Sequence, residues 1–309
     1  MPDQPVGVLV MAYGTPAAPE DVHSYYTHVR RGRPPTPELL ADLERRYDAI
    51  GGISPLAERT RVQAGGIANY LGEGFVVALG QKHAAPFIED GVAELIAQGA
   101  GRVVGLVLAP HFSALSVGQY HQRAAAAAGG GIAYIGIDSW HLHPVLIDLL
   151  AERVIQALIG LPPGSSVETL FTAHSLPERA LTLDDPSYPD QLHRTAEAVA
   201  SRCGLKRWRV AWQSAGRTAD AWIGPDVLDV IRRLPDDGVE SVVVCPAGFV
   251  SDHLEVLYDV DIEARAVAEA AGLRLSRTSS LNDDPRFMAM LADVVRSAVQ
   301  SPVRSPVRS

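Results

Sequence analysis

Glu255, Asp259 and Glu263 recur at i, i+4 and i+8, a spacing that puts three carboxylates on one face of a helix. No Lys or Arg lies between residues 252 and 264 to neutralise them. Like charges so placed repel by roughly a few tenths of a kcal/mol per pair. With His253 close in sequence and an apolar run ending just before, a row of carboxylate oxygens suits a divalent cation. The same residues also fit a solvated acidic face, with Asp252 capping the helix and Glu255 closing a capping box at N3. His174 is the second residue of chemical interest. It follows the apolar run 169–172 and precedes Ser175-Leu-Pro177. A histidine at a strand end is commonly structural. In a doubly wound sheet, however, that position faces the ligand cleft, where a base would act.

The elements that must position these residues alternate along the chain, which is the pattern of an α/β fold with parallel strands. Strands are expected at 6–11, 75–79, 103–108, 132–137, 167–171, 209–212 and 242–245. Helical patterns lie between them, at 37–47, 54–71, 86–98, 143–158, 188–203, 225–234 and, in one run, 254–271. Pro162-Pro163-Gly164 marks a boundary between halves, which we read as 1–160 and 161–300. The tail 301–309 repeats Ser-Pro-Val-Arg without an apolar face and reads as disordered. The halves carry a weak duplication. Val8-Leu-Val-Met-Ala-Tyr-Gly-Thr-Pro16 matches Thr169-Leu-Phe-Thr-Ala-His-Ser-Leu-Pro177, and Val107-Leu-Ala-Pro-His-Phe-Ser113 echoes Val244-Cys-Pro-Ala-Gly-Phe-Val-Ser251. Two related halves would gather Tyr13, His174, His111 and the acidic stretch around one cleft.

At 309 residues, 47% hydrophobic and 20% charged, the chain has the balance of an ordinary soluble globular protein. Its net charge of −9 argues against a general nucleic-acid binder. Neither a signal peptide nor an 18-residue apolar span is evident, so no transmembrane segment and a cytoplasmic location are expected. Cys203 and Cys245 are too few for a disulfide framework or a four-cysteine cluster, and Cys245 reads as a buried thiol. No G-x-S-x-G or Walker A pattern occurs, and Trp212-Gln-Ser214-Ala-Gly216 lacks the first glycine of a nucleophile elbow. Gly99-Ala-Gly101-Arg-Val-Val-Gly105 precedes a strand instead of following one, which excludes a dinucleotide fingerprint. His141 and His143 read as a pair of surface histidines.

Longer motifs carry a resemblance. Met11-Ala-Tyr-Gly-Thr-Pro16, Tyr25-Tyr-Thr-His-Val-Arg-Arg-Gly-Arg33, Arg46-Tyr-Asp-Ala-Ile-Gly-Gly-Ile-Ser-Pro-Leu56 and Ala109-Pro-His-Phe-Ser113 resemble ferrochelatases. So do Thr172-Ala-His-Ser-Leu-Pro-Glu178, Trp212-Gln-Ser214, Trp222-Ile-Gly-Pro225 and the run from Gly248 to Asp259. The likeness spans residues 6 to 295 in unchanged order. It is strongest to the soluble Gram-positive type, which acts on coproporphyrin III. The resemblance implies two Rossmann-like, chelatase-like halves with a porphyrin cleft between them. It implies Fe2+ and coproporphyrin III as substrates, no tightly bound cofactor, and a monomer in transient contact with neighbouring haem-pathway enzymes. Carried over, His174 and Glu255 are the paired iron-site residues, and Tyr13 faces the other side as a ligand of product iron. Arg30, Arg46, Tyr47, Ser54 and Tyr120 hold the porphyrin and its propionates, while Asp259 and Glu263 form a path for hydrated metal. Some relatives bind an iron–sulfur cluster through four cysteines near the C-terminus; this chain has no cysteine after Cys245, so no cluster is expected. Rivals on the same fold are a protoporphyrin IX ferrochelatase, a cobalt chelatase and a non-enzymatic haem carrier.

The chemistry is intelligible without the family. Inserting Fe(II) into a porphyrin removes two pyrrole N–H protons and strips water from the metal. A neutral imidazole can accept a proton or bind the metal, and a carboxylate can replace metal-bound water. A helix N-terminus favours an ionised Glu255, whereas burial opposes it. Tyr13 fits either a strand-end hydrogen bond or a ligand to iron, the latter requiring its phenol to ionise or nearly so. Arg30-Arg31-Gly-Arg33 fits either a solvated loop or a bidentate lip for carboxylates.

Overall fold

Apolar runs with few polar interruptions make strands that are buried on both faces, as parallel sheets between helices require. The computed structural model describes residues 4–300, so the expected disordered tail at 301–309 lies outside the described residues. In chain order the strands are β1 (Val6–Ala12), β2 (Phe75–Gln81), β3 (Arg102–Val107), β4 (Ala133–Ile137), β5 (Val167–His174), β6 (Trp208–Gln213), β7 (Ser241–Cys245) and β8 (Arg274–Arg277). They form two parallel sheets, ordered β2-β1-β3-β4 and β6-β5-β7-β8. Each order reverses direction between its two inner strands, at β1/β3 and at β5/β7. Ligands bind at the strand C-terminal ends beside such switch points. Because the two orders are the same, the duplicated motifs occupy equivalent places: Tyr13 follows β1 as His174 ends β5.

The helices are α1 (Val22–Val29), α2 (Pro37–Ala49), α3 (Leu56–Leu71), α4 (Ile88–Ala97), α5 (Val117–Ala128), α6 (Pro144–Ile159), α7 (Tyr188–Cys203), α8 (Val227–Arg233), α9 (Leu254–Leu257), α10 (Arg265–Ala270) and α11 (Pro285–Gln300). Several begin where the sequence instructs them to. Thr36 and Ser187 accept the backbone N–H of Leu39 and Asp190 ahead of an early proline, and Asp226 accepts that of Leu228. The last helix of each half crosses to the other half. α6 follows β4 yet packs on α7 and β7, and α11 follows β8 yet packs on α3, β3 and β4. One continuous core results, joining Val8, Leu106 and Ile137 of the first sheet to Phe171, Trp212 and Cys245 of the second through Leu146, Val154, Phe287 and Leu291. Gly66 permits the α3–α11 approach, since a Cβ there would lie 2.8 Å from Met288 Cγ.

The single helix expected over 254–271 is not continuous. After α9 the chain widens into a π segment, Asp259–Ala264, before α10 resumes, and Glu263 N–H donates to Tyr258 O five residues back. Within the π segment Asp261 is held from outside: Arg277 at the end of β8 makes a two-pronged contact with it, at 2.7 and 2.9 Å. The capping alternative also fails. His253 occupies the cap position without a side-chain cap, and the Asp252 carboxylate is taken by Ser280 and Asn282, each at 2.8 Å, with Arg277 at 3.4 Å. β8, α1, α5 and α11 lie outside the patterns named from sequence. β8 is a four-residue edge strand with two arginines and offers no apolar run. α11 did carry a signal, since Asp284-Pro285 precedes Phe287, Met288, Leu291 and Val295 at helical spacing.

Candidate active site

His174 ends β5, the inner strand of the second sheet, and β5 carries it to the cleft in a fixed orientation. Its Nδ1–H donates to the Ser175 carbonyl, which leaves Nε2 directed at Glu255 Oε1, 3.6 Å away. Its backbone carbonyl accepts from Tyr188 OH at 3.2 Å. Glu255 reaches it because the loop after β7 lies against β5. Gly248 N–H donates to Thr172 O at 3.0 Å, and a Cβ on Gly248 would stand 2.4 Å from Ala173 Cβ. Glycine is required for that approach. On its other side Glu255 Oε2 lies 3.6 Å from His253 Nε2, whose Nδ1–H donates to Ser251 O.

Charge in this pair is cooperative. Burial opposes a charge on His174, but Glu255, the Ser175 carbonyl and Asp259 outweigh it and push its pKa up to about 9. Burial likewise opposes ionisation of Glu255, yet His174 and His253 hold its carboxyl well below the ordinary range. The cleft therefore presents an imidazolium facing a carboxylate at neutral pH. At Glu255 the neighbouring histidines prevail over burial.

Asp259 and Glu263 continue from Glu255 but meet different partners. Asp259 accepts from Ser214 Oγ–H at 2.5 Å and stands 3.5 Å from Arg46. Burial and the charge of Glu255 nonetheless push its pKa up to about 6. Ser214 adopts a φ of 60°, a conformation that L-residues with side chains seldom take and that clusters at functional sites. Arg46, Ser214, Asp226, Asp259 and Glu263 line a polar cavity of about 130 Å³. So the acidic stretch, uncompensated in its own sequence, is partly neutralised by an arginine from α2. Among the described residues, no group of three or more His, Cys, Asp and Glu side chains is arranged to hold a metal.

Tyr13 belongs to the facing wall. Gly14, with a φ of 90°, turns the chain directly after it, and the Tyr13 ring lies at 54° to that of His83 with centroids 4.6 Å apart. At 42% exposure Tyr13 is the most open of the site residues in the first half. Burial of its hydroxyl and then Glu255 raise its pKa above the ordinary phenol range. Burial foremost raises Tyr25, Tyr47, Tyr120 and Tyr188 as well, with Glu255 a lesser cause at each and Tyr13 ahead of it at Tyr25 and Tyr120. Of the expected porphyrin holders, Tyr120 lies beneath the Lys82 ammonium, 5.0 Å from ring centre. Tyr47 is buried with its hydroxyl 3.4 Å from Thr15, and Ser54 accepts the Leu56 N–H at the start of α3. Arg30 lies over the Tyr26 ring with a buried Nε that has no hydrogen-bond partner. Arg46 is committed to Asp42 and Asp259.

Sequence reasoning missed Lys82, His83 and Arg123. Lys82 donates to Gln119 at 2.8 Å, and burial, then Arg123 and Arg31, lower its pKa to about 8. Burial and then Lys82 lower that of His83 to about 3. The available signal was positional, because Lys82 and His83 directly follow β2, at the C-terminal end of the sheet. The surface reading of His141 and His143 is corrected. His141 is buried, with Nδ1 3.0 Å from Thr195 Oγ1, which His111 Nε2 also meets at 2.9 Å. His143 caps α6 by accepting Val145 N–H. Cys245 is a buried thiol, its pKa pushed up to about 12 by burial.

Comparison with known proteins adds to this geometry. The family model described as ferrochelatase matches residues 5–299. A coproporphyrin III ferrochelatase of Geobacillus sp. (strain WCH70) is 45% identical over 306 residues, covering 96% of this chain and 98% of the relative. That of Bacillus subtilis (strain 168) is 45% identical over 300 residues, covering 94% and 96%. Among solved structures, SirB from Bacillus subtilis with Fe3+ aligns over 96% of both chains with a TM-score of 0.60 at 13% identity. CbiX, described as the terminal enzyme of sirohaem biosynthesis in denitrifying bacteria, aligns over 96% of this chain and 99% of its own with a TM-score of 0.53 at 14% identity. These two bear on the fold alone.

Proposed function

The chain belongs to the ferrochelatase family, and from that premise we propose that it inserts Fe(II) into coproporphyrin III to give iron coproporphyrin. The single observation that carries the chemistry is the His174–Glu255 pair, with Nε2 and Oε1 3.6 Å apart at the end of β5. Imidazole nitrogen and carboxylate oxygen suit a divalent iron. Glu255 supplies a carboxylate that is ionised without any metal, ready to replace water on an incoming cation. Nδ1–H of His174 is spent on Ser175, so Nε2, once its own proton has passed to solvent, is the atom that takes a pyrrole proton or meets the metal. An approaching cation would displace the Nε2 proton to water, because a metal binds the neutral ring. Asp259 and Glu263, on the wall of the polar cavity, would hold hydrated metal on its way to that pair. Tyr13 would close the opposite face as ligand of product iron.

Arginine and lysine beside the tyrosines support a substrate rich in carboxylates. Arg30, with its unpaired buried Nε, and Lys82 over Tyr120 offer cations for propionates, of which coproporphyrin carries four. Tyr47, Ser54 and Arg46 complete the holding set by family likeness. We take the protein to work as a cytoplasmic monomer of two halves, 1–160 and 161–300, passing its product to the next haem-pathway enzyme.

The test is anaerobic. Purified protein, Fe(II) and coproporphyrin III are followed through the visible spectrum, with protoporphyrin IX and Co(II) in parallel. Catalytic appearance of iron coproporphyrin, faster than either alternative pairing, is the expected result. Tight binding of ready-made iron porphyrin without insertion would make the protein a carrier and overturn the proposal.

A further inference from the structure

Gln213 ends β6 and pairs in register with His174 on β5. Its backbone carbonyl accepts the N–H of Ser175, the residue after His174, at 2.8 Å. Its side chain, 1% exposed, is consumed by two further contacts. Oε1 accepts from the Thr172 hydroxyl at 2.7 Å, and Nε2–H donates to the Glu255 backbone carbonyl at 2.8 Å. The orientation of the amide is fixed by chemistry: a carbonyl can only accept, so the NH2 must face Glu255 and the oxygen must face Thr172, which has a hydrogen to give. One residue thus ties the Thr172 hydroxyl and the Ser175 backbone, on either side of His174, to the backbone of Glu255. The contact falls in the four-residue helix α9, just before the switch to π winding, where the segment has few helical bonds of its own. A primary amide both accepts from a hydroxyl and donates to a carbonyl, and asparagine is one methylene shorter.

We propose that Gln213, oriented by Thr172, is a positioning residue that sets the spacing between His174 and Glu255. The inference rests on the reading of that pair as the metal-handling site. Removing its amide leaves porphyrin contacts intact and lets Glu255 drift, so the loss falls on metal affinity and turnover, not on porphyrin binding. A partner that orients a ligating group is worth on the order of 10- to 100-fold in metal affinity or rate.

The experiment uses the full chain with Co(II) alone, read by its visible d–d absorption, beside steady-state insertion of Fe(II) into coproporphyrin III. Gln213→Met keeps the volume and removes both side-chain hydrogen bonds; Thr172→Val removes the orienting hydroxyl, whereas Thr172→Ser keeps one. We expect Gln213→Met to weaken Co(II) binding and to lower kcat by about 10-fold or more, with KM for coproporphyrin III unchanged. Thr172→Val should follow in the same direction, Thr172→Ser should match wild type, and the double variant should be no worse than Gln213→Met. Folded Gln213→Met that binds Co(II) and turns over like wild type would overturn the inference. Should Gln213→Met not fold, the Thr172→Val and Thr172→Ser comparison decides by the same readings. A wild-type protein that never inserts iron would instead refute the proposed function, while the Co(II) comparison would still decide the role of Gln213.

Discussion

At the scale of single residues, His174 and Glu255 depend on each other for their charge. Replacing His174 by Ala removes both the Nε2 acceptor and the cation that keeps Glu255 ionised. We expect turnover to fall by at least about 100-fold, the lower end of what a positioned acid–base group contributes, with coproporphyrin III still titrating the protein's fluorescence. Loss of porphyrin binding in that variant would make His174 a scaffold residue. Glu255→Gln tests the reverse dependence. The amide cannot supply a negative charge, so Fe(II) insertion should fail while the fold persists, as judged by an unchanged thermal midpoint. A Glu255→Gln enzyme with normal turnover would leave the acidic row without a metal role. Such removals are readable because both groups stand partly open to the cleft and do not carry the core.

At the scale of elements, the segment from Gly248 to Ala264 is shaped by neighbours more than by itself. Arg277 binds Asp252 and Asp261, which flank Glu255 on either side. Arg277→Met would leave two half-buried carboxylates without their cation. Breaking a pair of this kind costs about 3 kcal/mol when fully buried, and a smaller loss is expected at these exposures, measurable as a lower urea midpoint. If stability is unchanged, the clamp is ornamental. Gly248→Ala acts at the other end of the same segment. Its Cβ would fall 2.4 Å from that of Ala173, so the loop must lift from β5. Overpacking of this kind costs about 1–3 kcal/mol, and the lift should slow insertion more than the stability loss alone explains, because Glu255 moves with the loop. Wild-type kinetics in Gly248→Ala would show that the loop tolerates the shift.

At the scale of the whole molecule, the crossing of α6 and α11 makes the halves one cooperative unit around a shared core. His111, from the loop after β3, and His141, from the loop after β4, meet on Thr195 of α7, so the two halves are also joined by polar contacts. Both histidines are neutral in the fold. Burial and then Arg194 bring His141 down to about 4, and burial and then His141 hold His111 well below its usual value. A depressed folded-state pKa means that the unfolded chain binds more protons, so stability rises with pH across the window. The contribution of His141 is fully present above about 6.5, the unfolded value, and is lost as the pH falls toward about 4. The urea midpoint should therefore drop through that window, and His141→Gln should flatten part of the drop. A profile that stays flat from pH 7 to 4 would contradict neutral burial of the pair.

The sequence by itself determined the alternation of strands and helices, the duplication and the motifs at strand ends. Each rests on local physics: apolar runs such as Val8–Met11 and Val242–Cys245 must be buried, and residues after β1 and β5 must emerge at the same edge of parallel sheets. It also singled out His174 and Glu255, because a histidine at a strand end and a carboxylate at a helix start are both visible as local patterns. Only the tertiary structure decided how these groups are charged and held. Arg46 from α2 meets Asp259, more than two hundred residues away, and Arg277 from β8 clamps Asp261 in the π segment of a stretch whose own spacing is regular. Lys82 and His83 become part of the Tyr13 wall because β2 lies beside β1. Partners so distant in sequence leave no periodic trace, and the burial and charge partners that together shift the pKa values in the cleft exist only once both halves close around it.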